Sequence, residues 1–296
     1  MITGMRKNYS RWVTCALFAS SFAAGVPVVS ADTIVHLGTI GQITGAADLD
    51  LDGDIVHAIN LRGETVEIAG VSFVSDDTAP AGTTLVGPNF ATDWQTRPEL
   101  GDTADDNALE ELFHNLRLAV PSEILGAEFD VKIGHRYKVQ MLISANQDES
   151  RSWDISVNGA LGVEEFTSLG TNADTYSVNR AVAYVFEIDA SQPTLEIVMG
   201  QINDTIEGTD GGALWQGITL EDLGPGPDGD GDGMPDSFES AFALDIENDD
   251  SAADGDSDNS SNLEEFTQAS DPTNDDSDGD GLKDGVETGT GTWVSR

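Results

Sequence analysis

The chain has 296 residues, 39% of them apolar, enough to bury a core and too many for a chain disordered throughout. Its 54 acidic residues against 13 basic ones give a formal net charge of -41, which excludes nucleic acid and anionic membrane as partners and points to cations.

The first segment sets Arg6, Lys7 and Arg11 ahead of an apolar stretch from Trp12 through Leu17 and Phe22 to Val29, followed by the small residues Ser30 and Ala31. This is the layout of a secretory signal peptide over residues 1–31. Ser20, Ser21, Gly25 and Pro27 make the stretch a poor spanning helix. The expectation is a secreted or cell-surface protein with no transmembrane segment after cleavage. The single cysteine, Cys15, lies inside this segment, so the mature chain has no disulfides and relies on its core and on metal.

Residues 32–223 read as short apolar or alternating runs separated by Gly, Asn and Asp. That is the pattern of a mainly β chain, an antiparallel β-sandwich. Strands are predicted at residues 33–37, 55–59, 65–74, 137–144, 153–157, 181–188, 195–199 and 218–220. One helix is predicted at 106–118, where Leu109, Leu112, Phe113 and Leu116 fall at helical spacing behind the acidic start Asp105-Asp106. The acidic run from Asp48 to Asp54 opens like a calcium loop but has Ile59 where a glutamate is needed, so a turn is expected there. No GxSxG or HExxH occurs, and His36, His57, His114 and His135 are scattered, so no enzyme is expected. Trp94, Trp153, Tyr176 and Trp215 are of the type a sugar platform uses. Trp153 and Trp215 lie in predicted strands and are expected in the core.

Gly224-Pro225-Gly226-Pro227 reads as a linker, residues 224–227, and beyond it aspartate dominates. The window DGDGDGMPDSFE, residues 228–239, puts carboxylates at positions 1, 3, 5, 9 and 12 and Gly233 at position 6, the pattern of a twelve-residue calcium loop. Its ligands would be Asp228, Asp230, Asp232, the carbonyl of Met234, Asp236 and, closing the site with two oxygens, Glu239. Residues 276–287 repeat it with Asp276, Asp278, Asp280, the carbonyl of Leu282, Asp284 and Glu287 around Gly281. Between them, residues 254–265 place Asp254, Asp256, Asp258, Asn262 and Glu265 at ligand positions, with Asn259 instead of the turn glycine. Asparagine tolerates positive φ better than most residues, so this loop keeps the pattern. Such oxygen-only sets select Ca2+.

A solvated acidic tail is the alternative, but glycine or asparagine at position 6 and glutamate at position 12 recur in all three windows. Two carboxylates about 4 Å apart repel by about 4 kcal/mol at an effective dielectric of ~20. Against roughly 1–2 kcal/mol per ordered residue, the few apolar side chains of residues 228–296 cannot fold this region without cation. The expectation is a tail that becomes compact on calcium.

The loop spacing, the aspartate-rich connections and the segment Ser270-Asp271-Pro272-Thr273-Asn274 resemble bacterial thrombospondin type 3 repeats, over residues 228–287. That resemblance implies an extracellular calcium-stiffened stalk. The runs YKVQMLISANQDESRSWDISVNG, AVAYVFEIDASQPTLEIVMG and GGALWQGITLEDL resemble malectin-like and galactose-binding-like jelly rolls. That second resemblance implies a module for a surface glycan or protein. Two readings follow: a calcium-binding structural or adhesion protein presenting its sandwich, or a carbohydrate-binding module on a calcium-stiffened spacer.

Overall fold

The computed structural model describes residues 34–87, 90–93, 98–120, 123–145, 152–167, 180–200 and 212–287. The expected signal peptide, Trp94 and Tyr176 lie outside them. The described residues belong to one compact unit, Ala31–Arg296.

In chain order the elements are β1 (Ile34–Ile43), β2 (Ile55–Asn60), β3 (Val66–Ile68), β4 (Val71–Ser75), β5 (Thr83–Val86), β6 (Phe90–Asp93), α1 (Ala104–Leu112), β7 (Asn115–Leu118), β8 (Leu125–Asp130), β9 (His135–Ala145), β10 (Ser152–Val157), β11 (Ala160–Thr167), β12 (Arg180–Asp189), β13 (Thr194–Gly200), β14 (Leu214–Trp215) and β15 (Gly217–Pro225). Three short helices follow, α2 (Asp236–Phe242), α3 (Asn262–Gln268) and α4 (Asp284–Glu287). The protein is therefore mainly β, as its alternating runs imply.

A seven-stranded sheet, β1-β12-β9-β15-β2-β4-β3, faces a five-stranded sheet, β11-β10-β13-β8-β5, with β14-β7-β6 as a third, smaller sheet. Pairing is antiparallel except between β2 and β4. The main core lies between the two larger sheets, where Val139, Met141, Tyr184, Phe186 and Ile218 meet Phe129, Trp153, Ile155, Leu195 and Ile197. A second core covers the other face of the seven-stranded sheet: Leu109, Leu112 and Phe113 pack with Ala58, Phe73, Leu142 and Ala183. That is why β9 and β12 carry apolar residues on both faces. Trp153 and Trp215 are buried, as expected for strand residues.

Two predicted elements differ. The run 65–74 is a hairpin, not one strand, because Ala69 (φ 49°) and Gly70 (φ 85°) form a two-residue left-handed turn that pairs Ile68 with Val71. The predicted helix 106–118 begins earlier, where Thr103 caps it by accepting from the Asp106 N–H, and ends at Leu112. Residues 115–118 form β7 instead, paired with β6 from Asp93–Asn115 to Phe90–Leu118. Leu116 is buried either way, so helical spacing alone could not decide between a fourth helical turn and a strand.

At the end of the sandwich the turn between β8 and β9 is tied to its surroundings. The Gly134 N–H donates to Ala190 O at 2.8 Å, and Gly134 O accepts from the Gly226 N–H at 2.8 Å. His135 Nδ1 lies 2.8 Å from Asp222, and Arg136 forks onto Asp189 at 2.6 and 3.1 Å. β15 thus runs through Gly224 and Pro225 beside this turn, and Gly226 continues directly toward the acidic region.

Candidate metal centre

The three acidic windows adopt one backbone design. In the first, Asp228 Oδ2 accepts from the Gly233 N–H (3.0 Å), Asp230 Oδ1 from the Asp232 N–H (3.1 Å) and Asp232 Oδ1 from the Met234 N–H (2.9 Å). In the second, the same positions give Asp254 to Asn259 (3.2 Å), Asp256 to Asp258 (3.2 Å) and Asp258 to Ser260 (2.6 Å). In the third they give Asp276 to Gly281 (3.0 Å), Asp278 to Asp280 (3.0 Å) and Asp280 to Leu282 (2.9 Å). Position 6 is left-handed in each: φ is 100° at Gly233, 78° at Asn259 and 96° at Gly281. Asparagine therefore does the turn that glycine does in the outer loops, in the conformation it tolerates best among residues with a side chain.

These bonds gather the first three aspartate carboxylates of each loop. One oxygen each of Asp228, Asp230 and Asp232 lie within 4.8 Å of one another, and so do those of Asp254, Asp256 and Asp258 and of Asp276, Asp278 and Asp280. A calcium ion with oxygens at about 2.3–2.6 Å spans about 5 Å from ligand to ligand, so the spread fits one ion in each loop. Asp236 and Asp284, at position 9, accept instead from the position-2 amides of Gly229 (2.6 Å) and Ser277 (3.0 Å). Asn262 departs: its Nδ2 donates to Asp250 O, and its buried Oδ1 has no hydrogen-bond partner.

Each position-12 glutamate sits at or near the first turn of a short helix and is buried: Glu239 and Glu265 have no exposed surface, and Glu287 is 5% exposed. Both oxygens of Glu239 and Oε2 of Glu265 lack hydrogen-bond partners, as do Asp230 Oδ2, Asp232 Oδ2 and Asp256 Oδ2. Burial, then the nearby Asp232, Asp230, Asp236 and Asp250, pushes the Glu239 carboxyl up to about 7. Burial, then Asp256, Asp258, Asp284 and Asp271, pushes Glu265 up to about 8. A buried carboxylate without partners is costly unless a cation completes it. The free atoms here are all oxygens, with no nitrogen or sulfur donor among them, which matches a hard divalent cation.

The sequence pattern missed one participant. Asp250 brings a carboxylate oxygen within 4.8 Å of those of Asp232 and Glu239, and its Oδ1 is buried without a hydrogen-bond partner. It stands eleven residues beyond Glu239, as Asp276 stands eleven beyond Glu265, a spacing that a search confined to twelve-residue windows cannot register. Glu265 and Glu287 do not join the oxygen triads of their own loops, whereas Glu239 joins Asp232 and Asp250.

The acidic run near Asp50 meets a different fate. Lys138 Nζ lies 2.7 Å from Asp50 Oδ2 and also pairs with Glu221. Burial opposes the charge on Lys138, but its bonds to Asp50 and Glu221 win and raise its pKa. The run is a turn in which Asp50 is paired from inside the chain.

Fold and loops together define a β-sandwich protein carrying three acidic, cation-type loops. No protein-family model matches the chain, and no curated protein matches it. Among solved structures, a Bacteroides uniformis β-glucuronidase 2 is similar with a TM-score of 0.42 and 21% identity, over 56% of this chain and 18% of that one. The plant receptor-like kinase ANX2 is similar with a TM-score of 0.47 and 13% identity, over 68% of this chain and 57% of that one. The Arabidopsis thaliana ANXUR1 extracellular domain gives 0.44 and 11%, over 58% and 51%. The chain thus spans less than two thirds of each, and no family is assigned from them. Among the described residues no helix is long and apolar enough to cross a membrane.

Proposed function

We propose that this is an exported calcium-binding protein in which three acidic loops, residues 228–287, fold around Ca2+ and hold the β-sandwich outside the cell. The observation that carries the reading is Glu239: fully buried, both oxygens without hydrogen-bond partners, and grouped with Asp232 and Asp250. Such a group is tolerable when a cation supplies the missing interactions. The ligands are those the spacing names, joined by Asp250: Asp228, Asp230, Asp232, the Met234 carbonyl, Asp236 and Glu239 in the first loop; Asp254, Asp256, Asp258, Asn262 and Glu265 in the second; Asp276, Asp278, Asp280, the Leu282 carbonyl, Asp284 and Glu287 in the third. When bound, the ion neutralises and crosslinks these carboxylates; the protein's part is structural and adhesive. The burial of Trp153 and Trp215 leaves neither as a stacking surface for sugar, so the carbohydrate-module reading gains no support from them.

Calorimetric titration of residues 32–296 with calcium, alongside circular dichroism, tests this. Two or three ions bound at dissociation constants of about 10⁻⁵ to 10⁻³ M, with gain of structure in the tail, are expected. No heat and no spectral change would leave the acidic region as a solvated extension.

A further inference from the structure

The acidic loops do not hang from the sandwich; they pack on one end of it. Phe238 of α2 and Phe266 of α3 meet edge to face at 5.0 Å, and Phe242 joins them at 4.8 Å from Phe238. This cluster lies on the β8–β9 turn. A Cβ added to Gly134 would fall 2.7 Å from Phe266 Cε2 and 3.1 Å from Phe238 Cβ, so glycine there gives the two aromatics their seat. Gly134 is also left-handed, at φ 88°. Beside it the His135 ring stands 6.4 Å from Phe266 and 6.4 Å from Tyr137, while its Nδ1 holds Asp222 of β15.

The loops are joined to one another as well. Asp250, from the segment between the first and second loops, faces Asp232 and Glu239. Leu263 of α3 stands 3.2 Å from where a Cβ on Gly233 would sit. Asp258 Oδ2 of the second loop accepts from the Gly285 N–H of the third at 2.6 Å. A Cβ on Gly285 would meet Asp258 O at 2.5 Å, so the third loop seats against the second only with glycine there.

We propose that the sandwich end formed by Gly134, His135 and Asp222 is a docking surface for the calcium-loaded repeats, so that ion binding in the loops orders and stabilises the sandwich itself. The inference rests on the calcium reading above and adds to it. In a stalk joined by a free linker the sandwich is indifferent to calcium; here α2 and α3 carry both a closing glutamate, Glu239 or Glu265, and a docking aromatic, Phe238 or Phe266. Ordering a loop therefore places its aromatic. Packing of this cluster is the physical link, since an aromatic pair adds stabilisation beyond the area it buries.

Hydrogen exchange of residues 32–296, in saturating calcium and in chelator, tests the proposal, with calcium uptake measured on the same samples by equilibrium dialysis. Amides of residues 126–145 and 217–226 are expected to exchange at least about tenfold more slowly with calcium. His135→Ala, which touches no loop carboxylate, and Phe266→Ala are expected to retain calcium uptake while losing most of that protection. If Phe266→Ala fails to take up calcium, His135→Ala and Gly134→Ala decide. Uptake with identical exchange in the two conditions would overturn the docking and leave the calcium reading standing, as would a full response in the variants. Absence of uptake by the unaltered chain would overturn both.

Discussion

Replacing Glu239 by glutamine should change the sign of its effect on stability with the presence of calcium. The side chain has no exposed surface, and neither carboxylate oxygen has a hydrogen-bond partner. Without cation its charge is opposed first by burial and then by Asp232 and Asp230, which is why its carboxyl titrates near 7 rather than at the usual 4.5. That displacement corresponds to about 3 kcal/mol of unfavourable charge at pH 8, at about 1.4 kcal/mol per pH unit. Coulomb's law agrees in scale: unit charges 4.8 Å apart, the limit within which the Asp232, Glu239 and Asp250 oxygens lie, repel by roughly 3 kcal/mol at an effective dielectric of ~20. Glu239→Gln keeps the shape, removes the charge and offers an amide N–H to the facing carboxylates. In chelator, where the parent tail is largely unfolded, the variant should shift the tail's folding equilibrium toward the ordered form by about 1–3 kcal/mol, seen as more helical signal and a higher melt than the parent. In calcium it should melt lower, because the site loses its two-oxygen ligand, with first-loop affinity weaker by roughly 10- to 100-fold, or about 1.4–3 kcal/mol. Thermal melts by circular dichroism in both conditions, with calorimetric titration, provide the four numbers. A variant less stable in chelator, or one that binds calcium as the parent does, would refute the assignment of Glu239 as a ligand buried for the ion.

Because Glu239 and Glu265 bind protons more tightly folded than unfolded, their charge penalty on the chelated acidic region should be absent below about pH 5 and grow as pH rises through 7 and 8, the values to which the two carboxyls are pushed; denaturant melts in chelator at several pH values check the direction. Calcium binding near pH 7 should release protons for the same reason, visible as a dependence of the binding heat on the buffer's ionisation enthalpy. Gly233→Ala places a side chain at φ 100° and within 3.2 Å of Leu263, and should cost the first loop about 1–2 kcal/mol, read as weaker calcium binding, while Asn259→Gly should strengthen the second loop by a few tenths to about 1 kcal/mol. In the sandwich, Arg117→Met strands the buried carboxylate of Asp76, now 2.9 Å from the guanidinium, and should cost about 3–5 kcal/mol in denaturant melts independently of calcium.

What could be read from the amino-acid pattern follows from where the physics is local. A loop of this kind is specified by residues within one window, so position 6 and the alternating aspartates were visible at once, and the structure gives all three windows one hydrogen-bond design. Asp250 was not visible because its role depends on how the chain returns after α2, capped at Ala243 in the left-handed conformation. The long central strands β9 and β12 were legible because they pair along their whole length and carry apolar residues on both faces. Short strands such as β5, β7 and β14 were not: four residues or fewer carry too little pattern, and their pairing with distant segments decides their state. The ion pair between Lys138 and the acidic turn near Asp50 was likewise hidden, since it joins residues far apart in the chain.

That pair and the loops show two ways of resolving one electrostatic problem. In the sandwich, Asp50 and Glu221 meet Lys138, Asp76 meets Arg117, Asp189 meets Arg136, and Asp222 meets His135 and Lys132. At Asp222 burial works against the charge, yet the bonds from His135 and Gly224 win and hold its carboxyl below the usual range. Each of these partners is a residue of the chain, so the charge in these pairs is met without an ion. From residue 228 to 287 the only basic side chain is Lys283, held at 2.6 Å by Asp275, and the buried Glu239 and Glu265 have no cation of the chain to face. Neutralisation there has to come from solution, and its strength then varies with the ion's concentration. Placing the internal pairs in the sandwich and the unpaired carboxylates in the loops concentrates calcium dependence in one part of the chain, and the aromatic contacts at Gly134 and His135, with the hydrogen bond from Gly226 to Gly134, give that dependence a route to the rest.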